Sequence, residues 1–266
     1  MPSLTATSAT GSSYRIAKHH LPGLHHVSAG AIITAHNASC FLDALHTYLA
    51  EHRSPILPNT HDVFSLWSHI EFCLSHILEA SDNKLKNIVC ASPPIPVSGC
   101  CLAEPAHLDF ALVHTGKTNN KTVGTPLQGM YQSSNLPSLI STFLTSLSGL
   151  QIAHIHVIFK LPELYRIHSS HLLAYVKWFT PFSAQTNPSS GLHSVTHSSW
   201  QHHPYAQIID IGHIVHNCHL IPKFRRVKDP TWTSDNVADL CKSFYVNHYI
   251  DLYMFCMLKM GNLGCT

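Results

Sequence analysis

Apolar and polar residues alternate along much of the chain, with a period of two from about residue 62 onward. In 151–161, QIAHIHVIFKL, the apolar side chains share one face, and His154, His156 and Lys160 share the other. Such alternation is typical of a β-strand that buries one face and exposes the other. Together with turn signals, the pattern predicts further strands at 64–74 (one strand or a bent pair), 87–91, 109–114, 171–179, 192–196, 205–211, 244–247 and 252–258.

Residues 38–53, ASCFLDALHTYLAEHR, follow a helical period instead. Their apolar residues recur three and four positions apart, at Phe41, Leu42, Leu45, Tyr48 and Leu49. This spacing predicts a helix with one apolar face, which Pro55 and Pro58 then end. Many short strands and few helices predict an α+β fold, consisting mainly of an antiparallel β-sheet that could close into a barrel.

The composition divides the chain into three regions. Residues 1–35 are rich in Ser, Thr, Gly and His without a sustained period, which predicts a weakly ordered lead. The predicted helix lies in 36–59, where it could be the remnant end of an upstream domain. Residues 60–260 form the predicted β-rich domain, with a flexible insertion near 115–148.

Charged residues make up only 11% of the chain, and His is unusually frequent, with 24 copies. The net charge of +2 is too small to indicate a nucleic-acid partner by itself. The nine Cys are scattered, and the first residues lack the apolar core of a secretory signal, which predicts an intracellular chain with reduced thiols. No apolar run reaches 18 residues, so neither a membrane-spanning helix nor a membrane partner is predicted.

One basic segment is a candidate for nucleic-acid contact. Lys223, Arg225, Arg226 and Lys228 lie close together, and Trp232 follows a turn. Cations that neutralise phosphates and an aromatic ring on which a base stacks are the groups that such contact requires. A solvated loop is the alternative, and the low net charge favours it.

A second candidate is a metal site at His213, His216, Cys218 and His219, which His154 and His156 could join. However, a Cys-x-x-Cys pair is absent, and 24 His produce some clusters by chance, so the prediction is no metal and no cofactor. A Gly-x-Ser-x-Gly motif and a paired acidic motif are also absent, which predicts neither an active centre nor a small-molecule substrate.

Several segments of the chain resemble, in order and spacing, the C-terminal region of fungal transposon-encoded proteins of the Plavaka type, which are related to KDZ transposases. The similar segments, spread over about 60–258, include LWSHIEFCL (66–74), HLDFALV (107–113), IAHIHVIFKLP (152–162), AYVKWFTPF (174–182), GLHSVTHSS (191–199), CHLIPKF (218–224), DPTWTSDNVADLC (229–241) and FYVNHYID (244–251).

The resemblance implies a non-catalytic, degenerate, transposase-derived fragment. In such proteins the catalytic carboxylates lie in an upstream nuclease-like domain, which this sequence does not include. The implied partners are nucleic acid or another transposon-encoded protein, and the implied location is nuclear if the family role persists. A metal-binding module rich in His is the alternative function.

The resemblance also suggests an origin for the His and Cys surplus. Arg occurs five times, and C-to-T transitions convert Arg codons into Cys, Trp, His or Gln codons. This hypothesis predicts that the altered residues converge on no common point. The positions where the family pattern has a basic residue are His69, Cys73, Cys90, Cys100, Cys101, His107, His156, His197, Trp200 and His216.

Overall fold

A computed structural model describes most of the chain. The described residues are 5–7, 13–16, 24–73, 86–95, 97, 103–115, 149–167, 171–183, 185–224 and 229–258. Almost all of the predicted insertion at 115–148 lies outside them, as do Cys100 and Cys101. The boundaries predicted at 1–35, 36–59 and 60–260 stay predictions.

The described residues form many short strands, as the alternating pattern predicts. In chain order these are β1 (Thr5–Thr7), β2 (Ser13–Ile16), β3 (Val27–Ser28), β4 (Val63–Trp67), β5 (His69–Cys73), β6 (Lys86–Ser92), β7 (His107–Leu108), β8 (Phe110–His114), β9 (Leu150–Lys160), β10 (Leu173–Trp178), β11 (Ser194–Thr196), β12 (Ser199–Trp200), β13 (His203–Pro204), β14 (Ala206–Asp210), β15 (Ile214–Pro222) and β16 (Ser243–Asn247). The helices are α1 (Ala29–Ala35), α2 (Phe41–Glu51), α3 (Val237–Leu240) and α4 (Leu252–Leu258).

The larger sheet is antiparallel and has the strand order β11-β16-β15-β8-β9-β10-β14. β9 is long enough to pair with two strands along one edge, because β8 pairs with its first half and β4 with its last residues. β10 pairs with the other edge of β9. Within the described residues β11 and β14 do not pair with each other, so the sheet does not close into a barrel.

A second antiparallel sheet has the order β1-β2-β5-β6-β7. Alternate residues of β5 and β6, among them Ile70 and Val89, are fully buried against β8, β9 and β10 of the larger sheet. Their neighbours in sequence point to the opposite, outer face, which is partly exposed. The period of two therefore produces one inner face that stabilises the sheet packing and one outer face that can carry chemistry.

The other face of the larger sheet is covered by helices. The apolar side of α2 packs against Phe64, Phe159 and Tyr175. Further along the same face, α4 and the segment around α3 pack against residues such as Ile152 and Phe179. Both faces of β9 are consequently buried, which is why eight consecutive residues of this strand have almost no exposed surface.

The predicted helix at 38–53 is confirmed as α2, with Phe41, Leu45 and Leu49 buried as the helical period predicts. The predicted bent pair at 64–74 is confirmed as β4 and β5, which are separated by a single bend. The strands predicted at 87–91, 109–114, 171–179, 192–196, 205–211 and 244–247 are confirmed as β6, β8, β10, β11, β14 and β16.

Three sequence-based expectations are wrong. Residues 252–258 form α4 rather than a strand, because a short apolar run does not distinguish the two. His154 and His156 are buried rather than solvent-facing, since helices cover their side of the sheet. The barrel-like closure is also absent among the described strands. In addition, the sequence predicted neither β15 nor α1.

Candidate metal centre

The predicted nucleic-acid residues are described only in part. Arg225, Arg226 and Lys228 lie outside the described residues. The Lys223 ammonium donates a hydrogen bond to the Ser194 hydroxyl and lies 4.3 Å from the centre of the Tyr245 ring. Both contacts hold the Lys223 ammonium against β11 and β16 of the larger sheet. In the described structure this ammonium therefore does not point away from the protein toward a phosphate.

Trp232 lies 6.0 Å, between ring centres, from Phe224, which is 56% exposed. The two rings border a shallow cavity of about 160 Å³. The other residues that line this cavity are Pro222, Thr233, Ser234 and Val237. The structure thus places the predicted contact residue Trp232, which is partly buried, beside the exposed Phe224 at the edge of a cavity.

The four residues of the predicted metal site are not brought together. His216 and Cys218 lie on the buried face of β15, whereas His219 is on its exposed face and His213 is exposed before the strand begins. The His216 ring stacks on Tyr253 with 4.9 Å between ring centres. Burial lowers the pKa of His216 and raises that of the Cys218 thiol, as expected for neutral groups inside a sheet.

A different group of ligand-type side chains does converge, on the outer face of the second sheet. Cys90 belongs to β6, His107 to β7, and Asp109 directly follows β7. The register pairs Ser92 with His107 and Ala91 with Leu108, which places Cys90 opposite Asp109. Opposite residues, and residues two apart on one strand, point to the same face of a sheet, so all three side chains meet there.

The atoms of this group are close enough to share an ion. Each residue offers one ligand atom, and the three atoms all lie within 4.8 Å of one another. They are the Cys90 Sγ, a His107 ring nitrogen and an Asp109 carboxylate oxygen. The Nε2 of His107 lies 3.3 Å from Oδ1 of Asp109. Within the part of the chain that the structure describes, this is the one group of three such residues with this spacing.

Backbone contacts fix the position of Asp109. Its Oδ2 accepts a hydrogen bond of 2.8 Å from the backbone N–H of Cys90, and its own backbone N–H donates to the Cys90 carbonyl oxygen at 3.0 Å. The side-chain amide of Asn217 lies 3.5 Å from the same Oδ2. The carboxylate is therefore held in place, and its Oδ1 is directed toward His107.

Burial dominates the electrostatics of the group. It raises the pKa of Asp109, although the Cys90 backbone N–H and the nearby His107 act in the opposite direction. Burial, followed by the nearby Asp109 carboxylate, raises the pKa of the Cys90 thiol to about 11. Burial thus favours the protonated, neutral thiol. A bound divalent cation would instead favour the thiolate, because a coordinating thiol is deprotonated.

The ligand types and spacing suit a borderline-soft divalent ion such as Zn²⁺, which takes sulfur, imidazole and carboxylate ligands. Two light-atom ligands of a tetrahedral zinc ion lie about 3.3 Å apart. The distance of 3.3 Å between Nε2 of His107 and Oδ1 of Asp109 matches this value.

Cys90 and His107 were predicted only as altered Arg positions, and Asp109 was not predicted as a site residue. Two of those positions therefore lie within one group of ligand-type side chains, and the origin of the His and Cys surplus from Arg codons stays a prediction. The His-x-Asp spacing at 107–109 was an available signal, because alternate residues of a strand share a face. The partner Cys90 lies 17 positions earlier and is brought close only by strand pairing.

Comparisons with known proteins do not identify a relative. No protein-family model matches the chain. No curated protein and no solved structure matches it either. The resemblance to Plavaka-type proteins therefore stays a prediction. Among the described residues, no helix has both the length and the apolar character required to cross a membrane.

Proposed function

We propose that this protein is a metal-binding module that holds a divalent transition-metal ion, with Zn²⁺ as the expected ion, at Cys90, His107 and Asp109. The observation that carries the proposal is the convergence of a thiol, an imidazole and a carboxylate within 4.8 Å of one another. Metal binding was the alternative function that the sequence suggested, but the site differs. The four residues of the site suggested there are not brought together in the structure; they are His213, His216, Cys218 and His219.

The position of the three residues supports this function. The side chain of His107 is 70% exposed and that of Asp109 is 16% exposed, so an ion can enter from solvent without the core opening. Asp109 is already fixed by the Cys90 backbone N–H, which reduces the ordering that binding requires. The thiolate and the carboxylate would together neutralise the charge of the ion.

The test is titration of the purified, chelator-treated protein with Co²⁺, followed by displacement with Zn²⁺. We expect one tightly bound ion and a thiolate-to-cobalt charge-transfer band, because only a cysteine ligand produces that band. The substitutions Cys90→Ser and Asp109→Asn should each weaken binding by more than about 10-fold, and Cys90→Ser should abolish the band.

Matched controls separate this site from weak binding by the many surface His residues. Cys40→Ser changes another partly buried thiol, and His61→Ala changes an exposed imidazole. Both variants should retain the band and the affinity of the unmodified protein. Absence of the band, or a band that survives Cys90→Ser, would refute the proposal.

A second candidate function is nucleic-acid contact by a non-catalytic, transposase-derived fragment. The exposed Phe224 beside Trp232 favours it, since stacking on one aromatic side chain contributes about 1–3 kcal/mol per base. Binding of a labelled single-stranded oligonucleotide should weaken as salt increases and in Trp232→Ala, but not in the control Trp200→Ala, which removes a ring that is 68% exposed. Binding that Trp232→Ala leaves unchanged would contradict this candidate.

A further inference from the structure

The strand register places another imidazole next to the candidate metal centre. His69 of β5 is the Cα partner of Cys90 in β6. Its neighbours Ile70 and Phe72 point into the core with Val89 and Ala91, so alternation puts His69 on the outer face together with Cys90. His69, Cys90 and Asp109 thus form one row across β5, β6 and the residue that follows β7.

The hydrogen-bond pattern shows that His69 and Cys90 form the closer type of cross-strand pair. The backbone N–H and C=O of Cys90 are both directed at Asp109, whereas Ala91 donates to the carbonyl oxygen of Ser68. His69 and Cys90 are therefore a non-hydrogen-bonded pair. In such pairs the Cα atoms are about 4.5 Å apart, about 1 Å closer than in hydrogen-bonded pairs, and the side chains approach most closely.

The hydrogen bond of the His69 ring involves only one of its two nitrogens, so the other nitrogen can bind a metal ion. Its Nδ1 lies 3.1 Å from the hydroxyl oxygen of Ser68. When Nδ1 donates to that oxygen, Nε2 carries the lone pair. Metal-ligating imidazoles commonly use one nitrogen for the ion and donate the other to a nearby acceptor, which fixes the tautomer.

We infer that His69 is the fourth ligand of the metal bound by Cys90, His107 and Asp109. The inference rests on the proposed function. His69 is not part of the three-residue group in its present orientation, and it reaches the ion by rotation about its side-chain bonds. With four protein ligands the site is closed, which is typical of structural zinc rather than of catalytic zinc with a bound water.

The consequence is a metal cross-link of three adjacent strands. The ligands come from β5, β6 and β7 and from the residue after β7, and β7 itself has only two residues. Such a short strand is weakly held by its own ladder. An ion that joins it to β5 and β6 would stabilise this end of the second sheet, so the melting temperature should rise when Zn²⁺ is added.

The experiment compares the unmodified protein with His69→Ala and His69→Gln after loading with Zn²⁺ or Co²⁺. X-ray absorption of the zinc-loaded protein should show one sulfur ligand and two imidazoles. Each variant should retain the sulfur, lose one imidazole and bind Zn²⁺ at least 10-fold more weakly. His61→Ala, in which an exposed imidazole on the turn before β4 is removed, should behave as the unmodified protein does.

Two outcomes would overturn the inference, and they can be told apart. If the unmodified protein binds zinc through Cys90 but His69→Ala and His69→Gln keep the affinity and both imidazoles, His69 is not a ligand and the proposed function stands. If the unmodified protein binds no zinc, the proposed function fails together with the inference. Circular dichroism of each variant checks that a loss of affinity does not arise from unfolding, and His69→Gln provides a second variant if His69→Ala does not fold.

Discussion

His36 and His156 hold each other through two reciprocal hydrogen bonds. Nδ1 of His36 lies 2.9 Å from the carbonyl oxygen of His156, and Nδ1 of His156 lies 2.8 Å from the carbonyl oxygen of His36. A carbonyl oxygen can only accept, so both Nδ1 atoms donate. The end of α1 is thereby fixed to β9, and both imidazoles can be neutral.

This pair belongs to a group of buried polar side chains on the helix-covered face of the larger sheet. The group lies between the apolar residues that pack against α2 and those that pack against α3 and α4. His154 and Lys177 are Cα partners on β9 and β10, and both side chains are buried. The His154 and His156 rings lie 4.3 Å apart. Burial lowers the pKa of each imidazole, for His154 to about 3, so the interior favours the uncharged forms.

The first prediction is that the protein loses stability in mild acid. Burial lowers the folded-state pKa of several His below the value of about 6.5 expected in the unfolded chain. Above pH 6.5 both states are neutral and the free energy of unfolding is unaffected. Below it the unfolded chain binds protons that the folded chain does not, so the free energy of unfolding decreases. The residues with lowered pKa are His36, His114, His154, His156, His197 and His216.

Urea denaturation at pH 7.5, 6.5 and 5.5 measures this effect. A fully buried imidazole such as that of His154 contributes a decrease of up to about 1.4 kcal/mol per pH unit, and the decrease continues toward pH 3. Replacement His154→Leu should reduce the dependence on pH, whereas replacement of the exposed His61 by Ala should not. A free energy of unfolding that is constant from pH 7.5 to 5.5 would contradict the prediction.

The second prediction concerns Lys177, whose positive charge further lowers the pKa of His154 and His156. Replacement Lys177→Met removes that charge, so the pKa of both imidazoles should rise. Because the pKa of His154 is about 3, the loss of unfolding free energy should then be smaller than in the unmodified protein between pH 5.5 and about pH 3, where the folded state begins to bind protons. The matched control is Lys160→Met, because Lys160 is exposed at the end of β9. Equal losses in the two variants would show that Lys177 does not act on the imidazoles.

The sequence predicted the fold class and most strands because a strand that buries one face has alternating apolar and polar residues. This alternation is visible within one segment, even when the strands that pair with it are not known. It predicted α2 for the same reason, through a period of three to four. β15 was missed because its buried positions include the polar His216, and because His216 and Cys218 were considered only as alternative metal ligands. The helix at 252–258 was predicted as a strand because seven mostly apolar residues fit both periods.

The candidate site was beyond prediction for a different reason. His69, Cys90 and Asp109 are far apart along the chain, and only the antiparallel register of β5, β6 and β7 aligns them. Register depends on turns and on packing of the inner face, neither of which composition or spacing specifies. The resemblance to Plavaka-type proteins provided no ligand set that could have indicated these three residues.

The third prediction tests the packing of α2 on the larger sheet. The Phe41 ring makes edge-to-face contacts with the rings of Phe64, Phe159 and Tyr175, at 5.4, 5.5 and 5.6 Å between ring centres. Replacement Phe41→Ala should lower the free energy of unfolding by about 3–5 kcal/mol, because it removes these contacts and leaves a cavity. The control is His46→Ala on the exposed side of α2, which should change it by less than about 0.5 kcal/mol. A loss in Phe41→Ala close to that of the control would show that α2 does not depend on this contact.

The fourth prediction concerns the hydrogen bond by which Tyr165 secures the loop before β4. The fully buried Tyr165 donates its hydroxyl to Oδ2 of Asp62 at 2.6 Å, and the same oxygen accepts from the backbone N–H of Asn59 at 2.7 Å. Burial, together with the Asp62 carboxylate, raises the pKa of the Tyr165 hydroxyl, which therefore keeps its proton. Replacement Tyr165→Phe retains the ring and removes only the donor.

The free energy of unfolding of Tyr165→Phe should decrease by about 1.5–3 kcal/mol, the usual contribution of a hydrogen bond to a carboxylate. The decrease stays below that of a cavity-forming change because Asn59 still donates to Asp62 and the ring still packs against Phe64. Urea denaturation at pH 7.5 measures it. The same substitution at Tyr249, which is 58% exposed, should change the value by less than about 0.5 kcal/mol. If the two variants unfold at the same urea concentration, the hydroxyl of Tyr165 does not stabilise this loop.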